Sequence, residues 1–240
     1  MTASVLLPRY ERKFLPHGLS LADTLAMIHR HPAGFREMYP PRYVNSVYFD
    51  TMDLADYHDH VSGVPYRRKV RVRWYGDLEG HVAQPILEQK QKRGHVVWKE
   101  SSGLAPLAIH GRNWYQSVCG AWDANGLNES VRFVLCHRQP VLLTRYLRRY
   151  YVSADKQFRL TVDTDLEFHT PLQPRSYRNY NPHTPRIVLE LKFSLHAVEH
   201  AAMLTRHFPF RMVRCSKYVL GVSLLLLGSY WSPCDSRISS

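Results

Sequence analysis

The chain has 240 residues, and its 32 Lys and Arg residues against 20 Asp and Glu residues give a formal net charge of +12. Hydrophobic residues make up 45% and charged residues 22%, which is the composition of a globular protein and excludes a disordered chain. None of the 4 cysteines forms a C-x-x-C pair, which argues against a zinc site or a disulfide scaffold. The positive charge predicts a polyanionic partner: nucleic acid, a membrane surface or phosphate.

We expect one domain over residues 1–228, followed by a polar tail over residues 229–240. The most apolar stretch, Tyr218–Leu227, is too short to span a bilayer, which takes about 20 residues, and we interpret it as a buried terminal helix. No secretory signal pattern precedes the charged residues near the amino terminus. The sequence therefore predicts a cytoplasmic protein with reduced cysteines.

Alternation of apolar and polar residues predicts several β-strands. The clearest cationic one is Tyr66–Tyr75, which places Arg67, Lys69, Arg71 and Arg73 on one face and Tyr66, Arg68, Val70, Val72 and Trp74 on the other. In Val141–Val152 the pattern leaves open which face points inward. The predicted strands, in chain order, are Val5–Phe14, Val44–Asp50, Tyr66–Tyr75, Ile86–Lys92, Val141–Val152, Phe158–Phe168 and Ile187–Phe193.

Helices are fewer. Ser20–Arg30 begins with a capping signal, Ser20 followed by Asp23, and has helically spaced apolar residues. Further helices are predicted over His196–His207 and Ser216–Leu227, and a fourth near Ala108–Cys119. The fold class is therefore α+β, with an antiparallel barrel or sheet system and peripheral helices.

The cationic face of Tyr66–Tyr75 indicates an anion site. Side chains at alternate positions of a strand lie about 7 Å apart, so four cations in a row repel one another. Such a row is stable on an open surface or opposite an anion, and its spacing suits successive phosphates. If the apolar faces pack against outer helices, the charged faces line the interior of a barrel.

Several blocks resemble, in order, the VTC domain, which is the polyphosphate polymerase domain of the triphosphate tunnel metalloenzyme superfamily. The resemblance runs from about Arg9 to Gly221. The matching blocks are Arg9-Tyr-Glu-Arg-Lys-Phe14, Asn45-Ser-Val-Tyr-Phe-Asp-Thr51, Arg68-Lys-Val-Arg-Val-Arg-Trp-Tyr75, Leu87-Glu-Gln-Lys-Gln-Lys92 with Trp98-Lys99, Tyr146-Leu-Arg148 with Phe158-Arg-Leu-Thr-Val-Asp163, Val188-Leu-Glu-Leu-Lys192, and Arg214-Cys-Ser-Lys-Tyr218.

The resemblance implies an eight-stranded antiparallel β-barrel, a triphosphate tunnel with peripheral helices, that holds ATP or polyphosphate with Mn²⁺ or Mg²⁺. Charged residues on the same strand faces complete the candidate site. The candidate catalytic residues are Lys13, Arg71, Arg73, Arg148 and Arg159. The candidate phosphate-binding residues are Lys69, Lys90, Lys92, Lys99, Lys192, Arg214 and Lys217. The candidate metal ligands are Glu190, Glu11 and Asp163.

One departure from the superfamily bears on the reaction. Its hydrolases begin with E-x-E-x-K, but Arg9 stands at the first glutamate position here. This replacement favours a polymerase that moves the γ-phosphoryl group of ATP onto polyphosphate. A triphosphatase of the same fold and a non-catalytic polyphosphate sensor are the alternatives. No nucleic-acid partner is expected; related eukaryotic domains belong to membrane complexes, so a membrane-protein partner stays open, as does the oligomeric state.

Overall fold

A curled antiparallel sheet forms the centre of the computed structural model, which describes residues 9–93, 96–110, 114–123, 129–170, 176–178 and 186–227. Eight strands follow one another in the order β1-β11-β9-β8-β2-β3-β5-β6, and β10 pairs with β9. The strands of this sheet are β1 (Arg9–Phe14), β2 (Arg36–Asp50), β3 (Tyr66–Tyr75), β5 (Ile86–Arg93), β6 (Val96–Gly103), β8 (Gln139–Val152), β9 (Arg159–His169), β10 (Ser176–Arg178) and β11 (Val188–Ser194).

A small ribbon and six helices surround the sheet within the described ranges. The ribbon pairs β4 (Gly80–Val82) with β7 (Leu107–Ile109). The helices are α1 (Leu21–His29), α2 (Ala55–Ser62), α3 (Trp114–Asp123), α4 (Glu129–Cys136), α5 (Val198–Thr205) and α6 (Lys217–Leu225). None of the helices described is long and apolar enough to cross a membrane.

The predicted fold class is confirmed: the sheet curls into a half-barrel with helices packed around it. The capping box of Ser20 and Asp23 forms at the start of α1 as predicted. The helix predicted near Ala108–Cys119 is wrong in its first part, because Leu107–Ile109 pairs as a strand and α3 begins only at Trp114. The predicted tail over residues 229–240 lies outside the described residues.

Most of the convex face of the sheet is apolar and is covered by two groups of helices. Val70, Val72 and Trp74 of β3 belong to a core that includes residues of β7, α3 and α4. Leu160 of β9 and Leu191 of β11 belong to a second core with residues of α1 and α5. Burying one such side chain contributes about 1.5–3 kcal/mol to the free energy of folding. The apolar strand faces therefore pack outward, against the helices. The charged faces of the same strands are left on the concave side.

Helix α6 lies on the concave side, against β8 and β9. It closes part of the lumen, which is the space that the curled sheet surrounds. Its residues Tyr218, Leu220 and Val222 pack with Leu142 and Phe168 of these strands. At Gly221 a Cβ atom would lie 2.6 Å from side-chain atoms of both Leu142 and Phe168, so glycine permits this close approach. The packing places Lys217, the first residue of α6, inside the lumen.

The edges of the sheet, β1 and β6, do not pair in the described part of the chain. The segment before α6 runs along β1 instead: the Val213 amide donates to the Lys13 carbonyl at 2.9 Å. Side chains also cross this seam, since Lys90 Nζ of β5 lies 3.9 Å from Glu11 Oε2 of β1. The barrel is therefore completed at this point by one short segment and by side chains.

Candidate functional site

The β3 cations are held in the lumen by Glu88 of β5. Arg71 donates through Nε to Glu88 Oε2 at 2.6 Å and through Nη1 to the Tyr48 hydroxyl at 3.1 Å. The side chain of Glu88 also lies 3.6 Å from Arg73 Nη1 and 2.6 Å from Lys99 Nζ. Burial alone would raise the pKa of Glu88, but Arg71 and Arg73 hold that pKa well below its ordinary value. One carboxylate thus positions three cations on one wall.

A second carboxylate, Asp163 of β9, does the same on the opposite wall. Arg148 of β8 donates to it in a bidentate pair, with Nε–Oδ1 at 2.6 Å and Nη2–Oδ2 at 2.7 Å. Lys217 Nζ lies 2.5 Å from Oδ2 and 4.4 Å from the centre of the Tyr146 ring. Burial would raise the pKa of Asp163, but Arg148 and Lys217 lower it. Both carboxylate oxygens already have cationic partners.

Strands β1 and β11 supply a third group. Lys13 Nζ lies 2.9 Å from Glu11 Oε1 and 3.6 Å from Glu190 Oε2, and it donates to the Cys215 carbonyl at 2.9 Å. Lys192 forms an ion pair with Glu190. Burial would lower the pKa of Lys13, but Glu190 and Glu11 raise it well above its ordinary value. Lys13 is therefore a fully charged ammonium group between two carboxylates.

Lys69 and Lys92 carry charges that the lumen does not neutralise well. Lys69 Nζ donates to the Ser216 hydroxyl at 2.9 Å, and burial together with Lys13, Lys90 and Arg71 lowers the pKa of Lys69 well below its ordinary value. Burial and the neighbouring Arg67 and Arg214 lower the pKa of Lys92. A lysine whose ammonium form is disfavoured by other cations gains most from a bound anion.

Two predicted residues stand apart from this network of ion pairs. Arg159 lies opposite Lys192 in the β9–β11 ladder and shares its face, but its side chain is exposed. Arg214 is exposed as well, on the segment before α6. Both belong to the outer part of the lumen. The Arg9 backbone pairs with Ser194, and its side chain lies outside the described residues.

The structure therefore brings most of the predicted site residues to one surface, the concave wall, where cations outnumber carboxylates. The cations are Lys13, Lys69, Arg71, Arg73, Lys90, Lys92, Lys99, Arg148, Lys192 and Lys217. The carboxylates are Glu11, Glu88, Asp163 and Glu190.

A divalent cation fits part of the predicted ligand set. Glu11 Oε1 and Glu190 Oε2 lie 2.9 Å and 3.6 Å from the same Lys13 Nζ atom, and carboxylate oxygens suit Mg²⁺ and Mn²⁺. In the described chain, no three His, Cys, Asp or Glu side chains group into a metal site. Mg²⁺ commonly uses one or two carboxylates with substrate phosphates, which this pair matches. Asp163 fits less well, because Arg148 and Lys217 contact both of its oxygens within 2.7 Å, whereas Glu190 has one oxygen paired with Lys192 and the other 3.6 Å from Lys13 Nζ.

Sequence reasoning did not select Glu88, Tyr48, Tyr146 or Ser216 as site residues. Glu88 holds the β3 cations, Tyr48 accepts from Arg71, Tyr146 lies beside Lys217 and Ser216 accepts from Lys69. The E-x-K pattern of Glu88 and Lys90 was a usable signal, since both residues share one strand face. The other contacts depend on pairing between distant strands.

The lumen carboxylates predict a specific acid sensitivity. The pKa values of Glu88, Asp163 and Glu190 are lower in the folded chain than in the unfolded one, where they are about 4. Their stabilisation is complete above the unfolded pKa and is lost as the pH falls through the folded values. We expect the free energy of urea unfolding to fall steadily below about pH 4.5. The same free energy at pH 5 and pH 3 would contradict this.

A separate recess of about 580 Å³ lies on the convex face. Arg68 is the basic residue of this recess, and Glu100 and Glu129 are its acidic ones. With this charge balance it is a poor match for a polyanion. Its lining residues are Arg68, Gln89, Gln91, Glu100, Glu129, Phe133 and Val134.

Two solved structures were compared with the fold of this chain. A candidate adenylate cyclase from Vibrio parahaemolyticus has a similar structure, with a TM-score of 0.51 and 11% identity over 89% of this chain and 98% of that one. The PH1819 protein from Pyrococcus horikoshii OT3 gives a TM-score of 0.48 and 10% identity over 89% of this chain and 97% of that one. No curated protein matches the sequence.

At these identities the first likeness shows the fold alone. The family assignment comes from the sequence: the model of the VTC domain matches residues 8–226, nearly the whole chain. The match includes every strand and helix of the lumen described above. The chain therefore belongs to the VTC domain family and has the fold of the triphosphate tunnel proteins.

Proposed function

We propose that the chain is a polyphosphate polymerase-like phosphotransferase, which moves the γ-phosphoryl group of ATP onto a polyphosphate chain. The observation that carries this proposal is the surplus of cations on the concave wall, where no ion pair of the described residues includes Lys69 or Lys92. Cations that face one another across a lumen suit one unbranched phosphate chain better than a nucleic-acid groove. Because ATP is the donor, we propose the cytoplasm as the compartment of the reaction.

We assign the roles of the site residues from their positions on the concave wall. Phosphoryl transfer depends mainly on positioning and charge neutralisation. We assign Lys13, Arg71, Arg73 and Arg148 to the transferred group and Arg159 to the outer lumen. Glu11 and Glu190 would hold Mn²⁺ or Mg²⁺, which neutralises charge on the phosphate oxygens, and Asp163 positions Arg148 and Lys217. The remaining phosphate-binding residues are Lys69, Lys90, Lys92, Lys99, Lys192, Arg214 and Lys217.

The state of the carboxylates favours transfer over hydrolysis. Glu11, Glu88, Asp163 and Glu190 all have pKa values below their ordinary ones. A carboxylate with a low pKa is a weak general base and activates water poorly. The terminal oxygen of polyphosphate is already largely ionised near neutral pH and needs no such base. These paired carboxylates therefore support polyphosphate, rather than water, as the acceptor.

Incubation of the purified protein with ATP and Mn²⁺ tests the proposal, with the products separated by gel electrophoresis. We expect long polyphosphate chains. In Glu190→Gln, the Mn²⁺ concentration that gives half-maximal activity should rise about tenfold or more, because a metal ligand is lost. Glu100→Gln is the matched control, since Glu100 lines the convex recess.

The other outcomes separate the alternatives. Release of orthophosphate alone would replace the proposal with a triphosphatase. Tight binding of tripolyphosphate without turnover under any divalent cation would replace it with a sensor. An unchanged Mn²⁺ requirement in Glu190→Gln would remove Glu190 from the metal site.

A further inference from the structure

A cluster of tyrosines surrounds one arginine at the edge of the lumen. The guanidinium carbon of Arg42 lies 4.1 Å from the ring centre of Tyr75, 4.9 Å from that of Tyr150 and 5.9 Å from that of Tyr39. Arg42 Nε donates to the Tyr150 hydroxyl at 3.1 Å. We call these four residues the tyrosine rim.

The tyrosine rim continues the phosphate-binding wall. Tyr75 lies two residues beyond Arg73 on the same face of β3, about 7 Å farther along the strand. Arg42 of β2 lies directly opposite Arg148 of β8, so both share the lumen face. The rim is thus the next step outward from Arg73 and Arg148, which are both buried.

Most side chains of the tyrosine rim are exposed, whereas Arg73 and Arg148 beside them are buried. Tyr75 is 41% and Tyr39 48% exposed, and Arg42 is exposed as well. A register shift between Tyr39 and Arg42, at the Pro40-Pro41 step, brings Tyr39 opposite Tyr150. No ion pair of the described chain includes Arg42, whose contacts are these rings and one phenol.

A guanidinium group without a carboxylate partner among the described residues, beside partly exposed aromatic rings, is the chemistry that stacks on a flat heterocycle. In a nucleoside triphosphate, a ribose separates the α-phosphate from the base, so the base lies one step beyond the phosphates. We propose that the tyrosine rim binds the nucleobase of the donor and so selects a nucleoside triphosphate over inorganic triphosphate. This inference rests on the proposed function, whose phosphate site it extends.

Binding of ATP and of tripolyphosphate, each measured by calorimetry in EDTA so that no turnover occurs, tests the inference. In Tyr75→Leu we expect the Kd for ATP to rise about fivefold to tenfold, because base stacking is lost. The Kd for tripolyphosphate should not change. Arg42→Gln should give the same pattern, which keeps the test valid if Tyr75→Leu does not fold.

Tyr66→Leu is the matched control. Tyr66 lies at the other end of β3, is 46% exposed and has Arg68 above its ring at 5.8 Å, but it points to the convex face. Neither affinity should change in this variant. Equal losses for ATP and tripolyphosphate in Tyr75→Leu, or no loss for either, would overturn the inference alone. Failure of the wild-type chain to bind tripolyphosphate would overturn the proposed function and the inference with it.

Discussion

Replacing Asp163 with asparagine is expected to lower the free energy of unfolding by about 3–5 kcal/mol. The carboxylate is fully buried and is the shared partner of Arg148 and Lys217. Its removal leaves two buried cations without their hydrogen-bonded carboxylate, which is the costly way to break a buried ion pair. Urea denaturation at pH 7 measures the loss.

Tripolyphosphate should recover much of this loss, because an anion supplies the missing negative charge. We expect it to raise the unfolding midpoint of Asp163→Asn more than that of the wild type. Asp165→Asn is the control: Asp165 is exposed, has a φ of 53° that asparagine tolerates, and should change stability by less than about 0.5 kcal/mol. Equal increments from tripolyphosphate in wild type and Asp163→Asn would show that Arg148 and Lys217 do not face the ligand.

Arg71→Gln is expected to weaken tripolyphosphate binding by about tenfold to a hundredfold. A hydrogen bond to a charged group is worth about 1.5–3 kcal/mol, and each 1.4 kcal/mol is a factor of ten. Stability should change less than in Asp163→Asn, because Glu88 keeps Arg73 and Lys99 as partners. Calorimetric titration with tripolyphosphate measures the effect.

Arg68→Gln provides the comparison on the same strand. Arg68 lies on the convex face, where its Nη2 atom donates to the Tyr66 hydroxyl at 2.7 Å. Its substitution should leave the Kd for tripolyphosphate unchanged. If Arg68→Gln and Arg71→Gln weaken binding equally, the ligand is bound by the general positive charge of the chain rather than by the lumen.

The alternation of β3 was sufficient to predict its cationic face, because side chains of a strand point to opposite sides whatever the rest of the chain does. It was not sufficient for β8, where Arg145, Arg148 and Arg149 lie on both faces of the strand. The pairing of Arg148 with Asp163 shows which face of β8 points into the lumen. This pair joins two neighbouring strands across 15 residues of sequence, a spacing that no alternation within one strand reveals.

The position of α6 was also beyond the sequence pattern. Its apolar residues predicted a buried helix. Such a pattern does not indicate whether the helix packs on the convex or on the concave side of a sheet. The close contact of Gly221 with Leu142 and Phe168 shows why the concave side was available. The role of Glu88 likewise depends on the β3–β5 register, which sets it opposite Arg71.

The seam between β1 and β6 affects how a long polymer would reach the binding wall. Continuous backbone pairing would force a chain to thread in from one end. Here the Glu11–Lys90 contact, at 3.9 Å and partly exposed, contributes only about 0–1 kcal/mol to closure. Opening this side-chain contact would cost far less than unzipping a strand, so in the reaction that we propose the product has a sideways route at this point, beside the segment that precedes α6.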